Sequence, residues 1–175
     1  MRRYIIPAVL FILLAIQGMA MSLLPANIVY SDLLVTPHWV LCFIVIIAIF
    51  YDKDHTYHAI WYGMIFGLLI DVVYTGVLGV YMATYAMTAY VLHGLKELVH
   101  ANFIVASLLA ILSVALADTM LYMIYSFVQV TTISWGNYAT SRLLPTVAGN
   151  MIFFIILYPC VKNRLEQWSE ELTSA

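Results

Sequence analysis

The stretch FIVASLLAILSVALADTMLYMIYSFVQV, residues 103–130, decides what kind of protein this is. It runs for about 28 residues, or roughly 42 Å as an α-helix at 1.5 Å per residue, and its only charged residue is Asp118. About 20 apolar residues already suffice for a helix to cross the hydrocarbon of a bilayer. The stretch therefore predicts a transmembrane helix that is tilted or that projects beyond the lipid at its outer end.

The rest of the chain has the composition of a helical membrane protein. Of its 175 residues, 65% are hydrophobic and only 9% are charged, whereas a soluble domain carries about 25% charged residues. The apolar runs predict one all-α integral membrane domain, residues 1–175, with six transmembrane helices. The predicted spans are 4–24, 38–51, 57–75, 80–95, 103–130 and 139–161, followed by a polar cytoplasmic tail at 162–175.

The basic residues predict how these spans are oriented. All but one of the seven Lys and Arg residues lie on the same side of the six-span map, and the exception is Arg142. The others are Arg2, Arg3, Lys53, Lys96, Lys162 and Arg164. Because basic residues beside short loops stay in the cytoplasm during insertion, we expect both termini to be cytoplasmic.

Three charged residues lie inside the apolar spans: Asp71, Asp118 and Arg142. Each costs a few kcal/mol in lipid unless it is paired, neutralised or hydrated. At 1.5 Å per residue they lie roughly 21, 23 and 25 Å above the inner ends of the spans, hence at one height in the outer half of the bilayer. We predict a structural ion-pair cluster in which Arg142 pairs with one or both carboxylates. A proton or solute pathway, or simple exposure of Arg142 at the outer surface, is the alternative.

Small and helix-breaking residues mark where helices approach each other. Gly63 and Gly67 form a G-x-x-x-G spacing, and the short connection GVLG at 76–79 makes the third and fourth spans antiparallel neighbours. Pro145 frees a carbonyl or kinks the sixth span, and Asn150 can hydrogen-bond a neighbouring helix. The residues predicted to serve helix packing or a partner interface are Gly18, Gly63, Gly67, Gly76, Gly79, Pro145, Gly149 and Asn150.

The sequence shows no pattern typical of catalysis. It has no H-E-x-x-H, no phosphate-cradling glycine loop and no Ser–His–acid arrangement. His55 and His58, with Asp52 and Asp54, lie in a hydrated turn without a spacing that demands a metal. Within that turn, Asp54 or Thr56 is expected to cap the next helix. We therefore expect no enzyme, no metal and no cofactor, and the chain has no basic patch for nucleic acid.

Two stretches resemble the MreD family of rod shape-determining proteins. One is GLLIDVVYTGVLGVY at 67–81, and the other is RLLPT at 142–146 together with Asn150. The length, the six-span layout and the short tail agree as well. The resemblance covers essentially the whole chain and is greatest to MreD of Gram-positive rods.

What the resemblance implies is a non-enzymatic scaffold subunit of the elongasome in the bacterial cell membrane. Family members act with the single-span protein MreC, the actin-like MreB filaments, and the RodA glycosyltransferase with its penicillin-binding partner. Together these direct lateral peptidoglycan synthesis and rod shape. The resemblance also implies the six-helix fold of the substrate-binding subunits of energy-coupling-factor transporters. The matched residues carry over as determinants of fold and interface only.

The alternative is a substrate-binding subunit of a vitamin or metal energy-coupling-factor transporter. Such subunits carry A-x-x-x-A on the first helix, whereas here Ala8 is followed by Ile12 and Ala15 by Met19. The interior distinguishes the two functions. A ligand binder is expected to enclose a polar cavity of about 300 Å³ or more, roofed by the connection at 25–37, whereas a scaffold has a sealed interior.

Overall fold

Six helices account for most of the chain that the computed structural model describes, which is residues 4–23, 34–53, 55–96, 98 and 102–173. They are α1 (Ile5–Leu23), α2 (Trp39–Phe50), α3 (His58–Tyr74), α4 (Val80–Lys96), α5 (Phe103–Phe127) and α6 (Leu144–Thr173). A single α-turn, Trp135–Asn137, and a π-helical turn, Tyr138–Leu143, lead into α6. Two stretches, α5 and α6 with its lead-in, are long and apolar enough to cross a membrane. All regular secondary structure in the described residues is helical.

α2 lies at the centre of the bundle. Its sequence, WVLCFIVIIAIF, contains no charged residue, so every side of the helix can be buried. Residues 40–48 are each at most 2% exposed, and α2 contacts all five other helices. The outer faces of those helices instead expose large apolar side chains, as lipid contact requires. Examples are Phe11, Trp61, Val72, Leu108 and Ile156.

The α3–α4 pair is packed backbone to backbone. A Cβ atom on Gly67 would lie 2.7 Å from the Met82 Cα atom, and one on Gly63 would lie 3.0 Å from the Tyr85 carbonyl oxygen. Any side chain at Gly67 would therefore push the helices apart. In the connecting turn, Gly79 has φ +90°, a conformation that favours glycine. The G-x-x-x-G pattern thus serves packing within this chain.

The predicted tail at 162–175 continues the sixth helix, without a break, as far as Thr173. Leu165 and Ser169 are buried, and the Ser169 hydroxyl donates to the Tyr51 carbonyl oxygen at 3.0 Å. Because one face of this segment packs against the turn after α2, it forms a helix rather than a free tail. This turn belongs to the proximal end of the bundle, where the described chain begins and ends. The opposite end, which carries residues 34–38, 75–79 and 131–138, is called the distal end below.

Asp52 caps α3, and the predicted cap by Thr56 is wrong. The Asp52 carboxylate accepts from the backbone N–H groups of His58 at 3.0 Å and Ala59 at 2.8 Å. These are two of the N–H groups that the first turn of a helix leaves without an intrahelical partner. The Thr56 hydroxyl instead accepts from the Lys53 N–H at 2.7 Å. Asp54, the other predicted cap, lies outside the described residues.

Candidate functional site

The structure brings Asp118 of α5 and Arg142 of the π-helical turn together at the distal end. The Arg142 Nη2 and Nε atoms donate to Asp118 Oδ1 at 3.0 and 3.2 Å. The Asp118 side chain is 0% exposed and that of Arg142 is 18% exposed. The Tyr138 hydroxyl donates to the other carboxylate oxygen at 3.0 Å, and its ring stacks on Tyr122 with centroids 3.9 Å apart. A buried ion pair needs such additional hydrogen bonds to offset the loss of hydration.

His38 joins this pair to α4, although nothing in the sequence singled it out. Its side chain is fully buried, with Nδ1 2.9 Å from the Tyr85 hydroxyl oxygen and Nε2 3.6 Å from Asp118 Oδ1. A carboxylate can only accept, so we assign the imidazole proton to Nε2 and let the Tyr85 hydroxyl donate to Nδ1. The 3.6 Å contact is longer than a hydrogen bond. It is therefore an electrostatic contact between His38 and the carboxylate.

Residues 34–38, here called the strap, have no regular secondary structure and run along the first turns of α6. The N–H of Thr36 donates to the Thr146 hydroxyl at 3.0 Å, and the N–H of His38 donates to Asn150 Oδ1 at 2.6 Å. In return, Asn150 Nδ2 donates to the Thr36 carbonyl at 2.8 Å, and the Thr146 hydroxyl donates to the Leu34 carbonyl at 3.3 Å. Thr146 and Asn150 lie one helical turn apart. Their side chains bond the peptide groups of every second strap residue, in the way that the backbone of a neighbouring β-strand would.

Pro145 leaves free a carbonyl group that accepts a further hydrogen bond from the strap. Proline has no N–H, so it cannot donate to the carbonyl four residues before it, which is that of Ser141. The Ser141 carbonyl instead accepts from the Leu34 N–H at 2.7 Å. The predicted freeing of a carbonyl by Pro145 therefore has a specific use, because it anchors the start of the strap.

Asp71 lies in a different environment from the ion pair. Its carboxylate is fully buried and accepts from the N–H groups of Gly79 at 2.9 Å, Tyr81 at 3.0 Å and Met82 at 3.1 Å. These donors belong to the α3–α4 turn and the first turn of α4. A negative charge is favourable at a helix N-terminus. Asp71 is therefore the cap of α4, and among the described residues its bonds go to this turn rather than to Arg142.

The remaining glycines occupy two kinds of position. A Cβ on Gly18 would collide with the Tyr74 ring, and one on Gly149 would lie 3.4 Å from the Val35 side chain. A Cβ on Gly76 would meet nothing within 4 Å. Gly18 and Gly149 therefore face neighbouring parts of this chain, whereas Gly76 lies in open space in its turn.

A cleft of about 200 Å³ opens at the distal end. It lies between α1, the strap, α3 and α4 and is called the distal cleft below. Its lining residues are Gln17, Gly18, Thr36, Pro37, Ile70, Tyr74, Thr75 and Tyr81. The volume is below the value of about 300 Å³ expected of an enclosed ligand pocket. Across the described ranges, no group of three or more His, Cys, Asp or Glu residues is placed to hold a metal ion.

The fold and these contacts define a helical membrane protein whose buried Asp71, Asp118 and Asn150 side chains bond other side chains or the backbone. A family model, described as rod shape-determining protein MreD, matches residues 2–167. The chain belongs to the MreD family, as residues 67–81 and 142–150 had indicated. It is also 27% identical over 157 residues to the rod shape-determining protein MreD of Bacillus subtilis (strain 168), covering 90% of each chain. No solved structure matches it.

Proposed function

We propose that this protein is a non-enzymatic scaffold subunit of the elongasome that binds the single-span protein MreC. Through MreC it would couple MreB filaments to RodA and its penicillin-binding partner during lateral peptidoglycan synthesis. The observation that carries the proposal is the family match over residues 2–167, because that family determines rod shape. The matching region contains α1 to α5 completely and α6 as far as residue 167.

The polar interior supports a scaffold over the transporter alternative. The carboxylates of Asp71 and Asp118 and the amide of Asn150 are engaged by groups of the same chain. Residues held in this way fix helix positions, and these three direct their polar atoms to the chain itself rather than to a transported solute. We propose that Asp118 and Arg142 form a structural ion pair and that Gly63 and Gly67 serve internal packing.

We further propose that the chain is one domain that crosses the cell membrane six times, with both termini in the cytoplasm. Lys53, Lys96, Lys162 and Arg164 belong to the proximal end and Arg142 to the distal end, which supports a cytoplasmic proximal end. The count of six helices also supports the proposed likeness to the substrate-binding subunits of energy-coupling-factor transporters.

Co-purification tests the scaffold proposal. The chain would be tagged, expressed at native level and extracted in a mild detergent, and MreC recovery would be quantified by immunoblot. An unrelated six-span protein with the same tag serves as the control bait. We expect MreC to be enriched over this control, and cells depleted of the chain to lose their rod shape. Recovery of an ATPase-coupled transporter module in place of MreC would overturn the proposal.

Thiol labelling tests the orientation separately. In a background with Cys42→Ala and Cys160→Ala, single cysteines would be introduced as Gly136→Cys at the distal end and Arg164→Cys at the proximal end. We expect a membrane-impermeant maleimide to label only Gly136→Cys in intact cells and both variants after permeabilisation. Labelling of Arg164→Cys in intact cells would contradict the proposed orientation.

A further inference from the structure

The distal cleft is built for an uncharged ligand that forms hydrogen bonds. Among the described residues, no Asp, Glu, Lys, Arg or His lines it. Its polar groups are the hydroxyls of Thr36, Thr75, Tyr74 and Tyr81 and the amide of Gln17. A few convergent polar groups on a partly apolar wall can orient a ligand, and a volume below about 300 Å³ limits this ligand to one smaller than a drug-sized molecule.

Two of these hydroxyls are available to a ligand. The side-chain oxygens of Thr36 and Tyr81 have no hydrogen-bond partner within the described ranges, although both residues are partly buried. Tyr81 is held in place, because its N–H donates to Asp71 at 3.0 Å and its ring packs edge-on against Tyr85 with centroids 5.6 Å apart. A tyrosine hydroxyl both donates and accepts hydrogen bonds, so one that is fixed on the cleft wall without a partner among the described residues can bond a ligand there.

The depth of the cleft indicates where the ligand comes from. α3 and α4 have 17 residues each, which corresponds to about 25 Å at 1.5 Å per residue. This is less than the roughly 30 Å of bilayer hydrocarbon, so the bilayer thins beside the pair or its headgroups move inward. The cleft lies at the distal tip of this pair, where lipid headgroups would arrive.

The surface beside the cleft fits acyl chains. Val73 of α3 is 57% exposed and Leu78 in the α3–α4 turn is 68% exposed. Val73 directly precedes the polar lining residues Tyr74 and Thr75, and Leu78 follows Thr75 by three residues. One amphipathic molecule can therefore contact both surfaces, with its polar part in the cleft and its chains along the helix pair.

We propose that the distal cleft is a lipid site that holds the uncharged, hydroxylated headgroup of one lipid, such as a sugar or glycerol unit. A volume of about 200 Å³ corresponds to about seven water molecules at about 30 Å³ each, which is the size of one such unit. The described lining residues carry no charge to bind an anionic headgroup, and the Asp118–Arg142 ion pair is neutral as a unit. This inference does not depend on the proposed scaffold role.

Lipid retention measured by native mass spectrometry tests the site. The protein would be delipidated in lauryldimethylamine oxide, which has no sugar headgroup, and offered monoglucosyl diacylglycerol, phosphatidylglycerol or free glucose. Thr36→Phe fills the cleft but leaves the backbone bonds of residue 36 in place. Ile104→Phe places an aromatic ring on an exposed face at the proximal end of α5, away from the cleft, and is the control. We expect wild type and Ile104→Phe to retain one glucolipid and Thr36→Phe to retain none.

Several outcomes would overturn the site. Equal glucolipid retention by Thr36→Phe and wild type would place the lipid elsewhere, and preferential retention of phosphatidylglycerol would contradict the uncharged chemistry. Displacement of the glucolipid by free glucose would assign the cleft to a soluble sugar and refute a lipid ligand. If Thr36→Phe does not fold, Thr36→Val removes one hydroxyl without added bulk. Retention should then fall about two- to tenfold, as expected for one hydrogen bond, and an unchanged value would refute the site.

Discussion

Replacing Asp71 should destabilise the protein through the α4 cap. Asp71→Ala leaves three backbone N–H groups, those of Gly79, Tyr81 and Met82, without the carboxylate that accepts from them at 2.9–3.1 Å. Hydrogen bonds inside membranes average about 0.6 kcal/mol and reach about 1.7, and bonds to a charged acceptor lie toward the upper end. We therefore expect a loss of about 3–5 kcal/mol for Asp71→Ala, and about half of that for Asp71→Asn, which keeps one acceptor oxygen.

A double-mutant cycle separates this role from an ion pair with Arg142. Unfolding free energies would be measured in bicelles by steric trapping for Asp71→Asn, Asp118→Asn and Arg142→Gln, alone and combined. We expect a coupling energy below about 0.5 kcal/mol between Asp71 and Arg142, and above about 1 kcal/mol between Asp118 and Arg142. Comparable coupling for the two carboxylates, or a cost below about 1 kcal/mol for Asp71→Ala, would refute the assignment of Asp71 to the cap.

Three further substitutions test the helix packing, the strap and the bond of Tyr138 to Asp118. Each is measured as a change in the melting temperature in detergent. Gly67→Ala should lower the melting temperature and cost about 2 kcal/mol of stability, because the new methyl meets the backbone of α4. Gly94→Ala, whose new methyl lies in open space, should leave the melting temperature unchanged or raise it. Equal effects of the two substitutions would contradict the close approach of α3 and α4. Asn150→Leu removes both hydrogen bonds to the strap and should cost about 2–4 kcal/mol of stability. If its effect on stability is no greater than that of a substitution at an exposed position, other residues hold the strap. Tyr138→Phe keeps the ring stacking but loses the bond to Asp118, so about 1 kcal/mol is expected, and an unchanged melting temperature would remove Tyr138 from the site.

Composition and residue counting predicted the helical class and the level of the charged residues, and the resemblance of residues 67–81 and 142–146 indicated the family. Apolar runs specify helices whatever their neighbours, because backbone groups in lipid must bond within their own helix. Counting residues at 1.5 Å each gives height along a helix, and it placed Asp118 and Arg142 at similar levels. The family resemblance is confirmed by the match over residues 2–167.

Height alone does not specify which face of a helix a residue occupies. Residue counting therefore could not predict the rest of the site. Asp71 has nearly the height of Asp118, but it points into its own turn, four to eleven residues further along the chain. The spacing D-x-x-x-T-G-x-x-G at 71–79 was the available signal for a cap. His38 meets Tyr85 and Asp118, which are 47 and 80 residues away, so its role depends on how α2 is rotated in the bundle. Sequence spacing carries no information on that rotation.

The enclosure of α2 also has a consequence for how the protein assembles. Five helices surround it, and four of them, α3 to α6, are synthesised after the α2–α3 turn. In the proposed six-span topology α2 would enter the bilayer next to lipid and α1, and protein would replace its lipid neighbours as α3 to α6 follow. Its side chains then respond to substitution by volume, as a water-soluble core does, rather than by affinity for the bilayer.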